Sequence, residues 1–167
     1  MHIRPIDTSG SAVSPPPMPA APPTSGLEGQ VQHGLNLYLP LKSPFQMPAL
    51  AEMLQMPEAQ TTVHAALSSL HYVHFARFLP ELDGSALWVI TEFDGGLETY
   101  IMDFVSVLGD VFNDILQFVR DAPPLPVQQY AREFTAYVIA QNVKAPPPWS
   151  AYPQATVIDI LRATERM

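Results

Sequence analysis

Residues 72–116 constrain the fold of this chain more than any other stretch. Tyr72-Val73-His74-Phe75-Ala76-Arg77-Phe78 and Leu87-Trp88-Val89-Ile90-Thr91-Glu92-Phe93-Asp94-Gly95-Gly96 are strand-like runs on either side of Asp83-Gly84. Asp-Gly is a strong turn signal, because glycine accepts positive φ without steric cost. Directly afterwards Leu97, Tyr100, Ile101, Phe104, Leu108, Val111, Phe112, Ile115 and Val119 recur at spacings of three and four, with Glu98, Asp103, Asp110 and Asp114 off that stripe. The pattern predicts a hairpin over 72–79 and 86–93 running into a helix over 96–120. Asp94 is expected to cap that helix, and Glu98 suits its positive end. The same unit places a His, an Arg and a Glu inside apolar strands, where charge is costly unless it is used.

The flanking segments complete the element order. Leu35-Asn36-Leu37-Tyr38-Leu39 alternates with period two and reads as a strand ended by Pro40 and Pro44. Residues 48–69 read as helix, with Leu50, Met53, Leu54, Val63, Ala66, Leu67 and Leu70 as the buried set. Pro57 has no N–H to donate and clashes with the preceding turn, so the helix should kink there or split in two. A further helix is expected over 127–142, on Val127, Tyr130, Ala131, Phe134 and Val138. After the rigid Pro146-Pro147-Pro148, Ala155-Thr156-Val157-Ile158-Asp159-Ile160 reads as a last strand.

Residues 1–33 are a different material. Seven of the first 30 residues are proline, mixed with Ser, Thr, Gly and Ala. Such a segment buries too little to offset its ordering entropy, so 1–33 is expected to be a flexible arm preceding a domain over 34–167. Its other reading is a docking arm for a protein partner, since Pro16, Pro19 and Pro22 keep a polyproline spacing.

Composition excludes several functions. Only 14% of residues are charged, against about 25% in ordinary soluble domains, which suggests surface hidden in an oligomer. Net charge is −8 and the 8 basic residues are scattered. With no basic stripe, neither nucleic acid nor an anionic membrane is an expected partner. There is no cysteine, hence no disulfide, thiolate nucleophile or Cys-type zinc site. No run approaches the roughly 18 apolar residues of a membrane-spanning helix, and no secretory leader is visible. A cytoplasmic location is the resulting expectation.

Strand, helix, strand, strand, helix, extra helix, strand is the βαββαβ order of a ferredoxin-like α+β domain, with helices on one face of a four-stranded antiparallel sheet. Tyr38, Phe75, Trp88 and Ile90 are then expected to divide between two faces, both apolar. A sheet apolar on both sides needs two covers, and the second is most economically a symmetry mate. At this point the chain resembles the dimeric α+β barrel superfamily. The resemblance spans about residues 34–162 and rests on the element order and the strings His74-Phe75-Ala76-Arg77-Phe78 and Phe93-Asp94-Gly95, as in bacterial members of undefined activity. It implies a homodimer enclosing a cavity, in a group that includes small monooxygenases and haem-handling enzymes. No catalytic motif of a characterised branch maps onto this chain residue by residue.

His74 and Glu92 are the candidate catalytic residues, with Tyr38, Asn36, Arg77 and Trp88 as candidate ligand-binding residues. Imidazole exchanges protons near neutrality and can ligate haem iron or a metal; a satisfied interface or core histidine is the bland alternative for His74. His74 and Arg77 are separated by an odd number of residues, so they face opposite sides of their strand unless a bulge intervenes. Arg77 can pair with Glu92 or Asp94 across the hairpin, or recognise a carboxylate-bearing ligand. Glu92 shares a strand face with Trp88 and Ile90, where an aromatic pocket would raise its pKa, unless it is simply solvated at the strand end. Tyr38 and Asn36 can complete a polar cluster, although packing accounts for Tyr38 equally well. His64, His71 and His74 lack metal-ligand spacing, and no metal site is expected. Gly95-Gly96 suits helix capping better than phosphate binding.

Three functions stay open at this stage. One is a homodimeric barrel that binds or oxygenates a small apolar molecule, and it needs no cofactor written in the sequence. Another is a haem-linked accessory protein with His74 or His71 on the iron. The third is a non-enzymatic assembly component docked through residues 1–33.

Overall fold

The computed structural model describes residues 30–166, so most of the proline-rich arm lies outside the described residues. Alternation in the first strand does what period two requires. In β1 (Gln32–Pro40), Leu35, Leu37 and Leu39 are buried on one face while Asn36 and Tyr38 stand half-buried on the other. β1 pairs antiparallel with β3 (Ala86–Asp94), from Gln32 opposite Asp94 to Pro40 opposite Ala86. β3 in turn pairs antiparallel with β2 (Val73–Pro80). The sheet order β1-β3-β2 sets β1 and β2 parallel with β3 inserted between them.

The β1–β2 crossover contains a 3-10 turn at Pro44–Gln46 and two helices, α1 (Met47–Gln55) and α2 (Pro57–Leu70). Of the two outcomes open at Pro57, the chain takes the split. Proline stands at the start of α2, where its missing N–H would have had no partner anyway. Leu50 of α1 is fully buried, whereas every side chain of α2 is half-buried or exposed. The hairpin turn uses Gly84 at φ +74, and a Cβ there would lie 2.9 Å from the Pro44 carbonyl oxygen. A substitution at Gly84 therefore strains the backbone and collides with the crossover.

The apolar stripe after the hairpin forms α3 (Leu97–Leu116), which buries Tyr100, Ile101, Phe104, Leu108, Phe112 and Ile115 against Leu35, Leu37, Leu87, Val89 and Phe93 of the sheet. Each such side chain, fully buried, contributes about 1.5–3 kcal/mol. Phe93 stacks on Tyr100 with ring centroids 4.0 Å apart, and the aromatic contacts continue through Phe104 and Phe112 to Phe134. Phe134 and Val138 anchor α4 (Ala131–Gln141). No helix among the described residues is long and apolar enough to cross a membrane.

The architecture is α+β with an antiparallel sheet, and it departs from expectation at four places. The last segment is helix, α5 (Val157–Thr164), rather than a strand. Thr156 accepts the Asp159 N–H while the Asp159 carboxylate accepts the Thr156 N–H, and this reciprocal capping box outweighs the β-branched run Thr156-Val157-Ile158. The described sheet therefore has three strands. The outer edge of β1, where a fourth strand would pair, is met by isolated bridges from Leu37 to Asn142 and from Leu41 to Val119. Secondly, α4 begins at Ala131 because residues 127–130 are occupied by a turn, with Gln129 and Tyr130 donating to the Pro126 carbonyl. Thirdly, Gly96 caps α3; Asp94 remains in β3 and its carboxylate is used elsewhere. Lastly, Tyr38, Phe75, Trp88 and Ile90 are not divided between the two faces. The register places all four on the face away from the helices, since Tyr38 opposes Trp88, Asn36 opposes Ile90 and Phe75 opposes Glu92.

Candidate functional site

The face of the sheet away from α3 collects all six candidate residues. Asn36 and Tyr38 of β1 and Trp88 and Glu92 of β3 follow from simple alternation. Arg77 opposes Ile90 and joins them. His74 is brought in by a break in register between Val73 and Phe75, where β2 gains a residue relative to β3. That irregularity overrides the odd His74–Arg77 spacing, which otherwise puts the two on opposite faces.

His74 Nε2 lies 2.7 Å from Asp94 Oδ1, and the two side chains are only 8% and 11% exposed. Asp94 Oδ2 accepts a second bond of 2.8 Å from the Val157 backbone N–H. One carboxylate thus ties the end of β3 to β2 and to the start of α5, and fixes the orientation of the imidazole. Asp94 is the functional neighbour that capping logic assigned to the wrong partner. Its shared parity with Trp88, Ile90 and Glu92 was the signal that placed it beside them.

Glu92 is half-buried, and its Oε2 is shielded from water with no hydrogen-bond partner among the described residues. Burial raises its carboxyl above the ordinary glutamate range, while the nearby His74 and Arg77 pull it partly back. A carboxyl shifted by burial beside charged partners is a candidate functional group. The expected Arg77 ion pair does not form: among the described residues the one side-chain ion pair is His74–Asp94, and Arg77 stays exposed.

Room for the Glu92 carboxylate comes from Gly34, directly opposite, where a Cβ would lie 3.3 Å from Glu92 Oε2. Beyond it a groove of about 460 Å³ runs between Gly34, Asn36 and Glu92 on one side and Lys144 and Pro146–Pro148 on the other. The Asn142 side chain holds that segment in place by accepting the Asn36 N–H at 3.0 Å, and Val143 N–H donates to the Asn36 carbonyl at 2.9 Å. Gly34, Lys144 and the proline run escaped sequence reading, because no local pattern says that residues more than a hundred positions apart share a groove.

The remaining candidates form an aromatic floor. Tyr38 and Trp88 meet edge to face at 4.9 Å, and the Trp88 indole donates to Glu81. Phe75 and Leu79, 75% and 46% exposed, extend this apolar surface along β2. His71 ends α2 in a left-handed backbone at φ +57 and is exposed. Among the described residues no group of three His, Asp or Glu side chains stands close enough to hold a metal ion. No protein-family model, curated protein or solved structure matches the chain.

Proposed function

We propose that this chain is a homodimer that holds a small, mostly apolar molecule against the open face of its sheet, with Glu92 and His74 exchanging protons with the polar end of the ligand. The observation that carries this reading is the Glu92 carboxyl, with an oxygen shielded from water and unpartnered among the described residues, at the head of the 460 Å³ groove. A buried carboxylate oxygen without a donor is costly, and a ligand hydroxyl or amine would relieve it. His74, oriented by Asp94, and Arg77 stand on the same face, and Tyr38, Trp88 and Ile90 offer an apolar bed for the rest of the molecule.

The second copy is inferred from the surface. Phe75, Leu79, Trp88 and Ile90 form an apolar face that no helix among the described residues covers, and monomers rarely expose such patches without a use. Two sheets meeting there would close the groove into a chamber, as the resemblance to dimeric α+β barrels implies, and the split β1-β3-β2 order suits that geometry. An oxygenation of the bound molecule belongs to the same reading: Glu92 would take a proton from a CH2 group of the ligand, and dioxygen would be the oxidant, one oxygen atom forming a carbonyl there and the other leaving with the two hydrogens as water.

The test is a ligand-observed NMR screen of small aromatic alcohols and amines, followed by titration of wild type, Glu92→Gln and Glu92→Ala. At least one hit should lose about tenfold or more in affinity in both variants, consistent with losing a charge-assisted hydrogen bond. Affinities unchanged in both variants would contradict the assignment.

A further inference from the structure

The opposite side of the sheet contains a second cavity, of about 260 Å³, between α1, α2 and the strands. Its origin is legible in side-chain size. Ala51 of α1 and Ala76 of β2 line it with small side chains, and Val63 and Leu67 of α2 reach in without becoming fully buried. Leu54, Phe78, Val89 and Phe104 complete the apolar wall, while exposed Gln60, His64 and Arg77 border it.

Thr91 is the exception in this lining. It is 1% exposed, points to the helix side of β3, and its Oγ1 has no hydrogen-bond partner among the described residues. The neighbouring Tyr100 hydroxyl is also buried and makes no hydrogen bond of good geometry among the described residues; burial raises its pKa well beyond the usual tyrosine range, and the nearby Thr91 hydroxyl pulls it partly back. Buried hydroxyls are normally satisfied, because an unmet one costs its full desolvation. A largely apolar cavity, open to solvent where Gln55, Gln60, His64 and Arg77 border it and carrying a buried hydroxyl in its inner wall, has the make-up of a small-molecule site.

Size narrows the ligand. The chamber falls below the roughly 300–1,000 Å³ of drug-sized sites and exceeds the roughly 150 Å³ that holds benzene in a dry cavity. We propose that it binds a molecule of about one substituted ring carrying a single hydroxyl or carbonyl group, with its apolar body against Leu54, Val63, Leu67 and Phe104 and its polar atom on Thr91 Oγ1. This site is separate from the Glu92 groove, which lies across the sheet.

Toluene and p-cresol, titrated into the full chain by calorimetry and two-dimensional NMR, test the assignment. Both should bind saturably and shift amides of α2 and β3, with p-cresol about fivefold tighter through one hydrogen bond. Thr91→Val, nearly isosteric, should erase that preference and leave toluene unaffected. Ala51→Leu and, separately, Leu67→Phe fill the space and should weaken both ligands at least tenfold. Absence of saturable binding, a p-cresol preference that survives Thr91→Val, or binding that survives in either filled variant that folds would each overturn it.

Discussion

Two faces of one sheet, written by alternate residues of the same strands, differ in almost every physical respect. The helix side takes Leu35, Leu37, Leu39, Leu87, Val89 and Phe93, all buried under α3. The open side takes Asn36, Tyr38, Trp88, Ile90, Glu92 and Asp94 from the neighbouring positions, and none of these is fully buried. On the first face apolar surface meets apolar surface and stability is the result. On the second a carboxyl is left unpaired among the described residues, an imidazole is oriented by Asp94, and aromatic rings are left half in water.

The widest contrast should come from adjacent residues of β1. Leu37→Ala opens a cavity in the core and should cost about 2–5 kcal/mol in chemical denaturation, whereas Asn36→Ala removes one long side-chain bond and should cost less than about 1 kcal/mol. Similar costs would erase the distinction between the faces. Asp94→Ala comes next. It strips partners from His74 and from the Val157 N–H, and should cost about 1–3 kcal/mol, with faster amide exchange at the start of α5. Unaltered exchange there would detach Asp94 from its bridging role.

Thr156→Ala removes half of the capping box and should cost about 1 kcal/mol, concentrated in α5. The smallest effect is one of pH. Glu92 holds its proton more tightly when folded than when unfolded, so the folded state binds more protons between the ordinary glutamate range and the raised value of Glu92. Stability should therefore fall as pH rises through that window. Glu92→Gln should flatten this component in urea midpoints measured from acid to neutral pH. An identical slope in wild type and variant would show that the carboxyl is solvated.

Much of this was legible in residue patterns, and the failures have definite causes. Period two in 35–39 and 87–93, the Asp83-Gly84 turn and the stripe of α3 each reflect one dominant local force, and each forms close to where the pattern puts it. Parity put Glu92 with Trp88 and Ile90, and Asn36 with Tyr38, but it does not fix how strands align with one another, so the expected division of Tyr38, Phe75, Trp88 and Ile90 between two faces failed. At 155–160 two local forces competed. The β-branched run favoured strand, the Thr156–Asp159 box favoured helix, and with the edge of β1 met by Asn142 and Val143 the helix prevailed. His74 could not be placed because an inserted residue in β2 leaves no mark in the local pattern. The groove and the chamber under α2 are products of long-range packing, so neither was visible along the chain.

The claim on which the rest depends is that the open face is an interface as well as a site. Sedimentation equilibrium of wild type and Phe75→Asp tests it most directly, since Phe75 is 75% exposed and its substitution burdens no core. The account predicts a dimer for wild type and a folded monomer for the variant. A wild-type chain that remains monomeric at high concentration would contradict it.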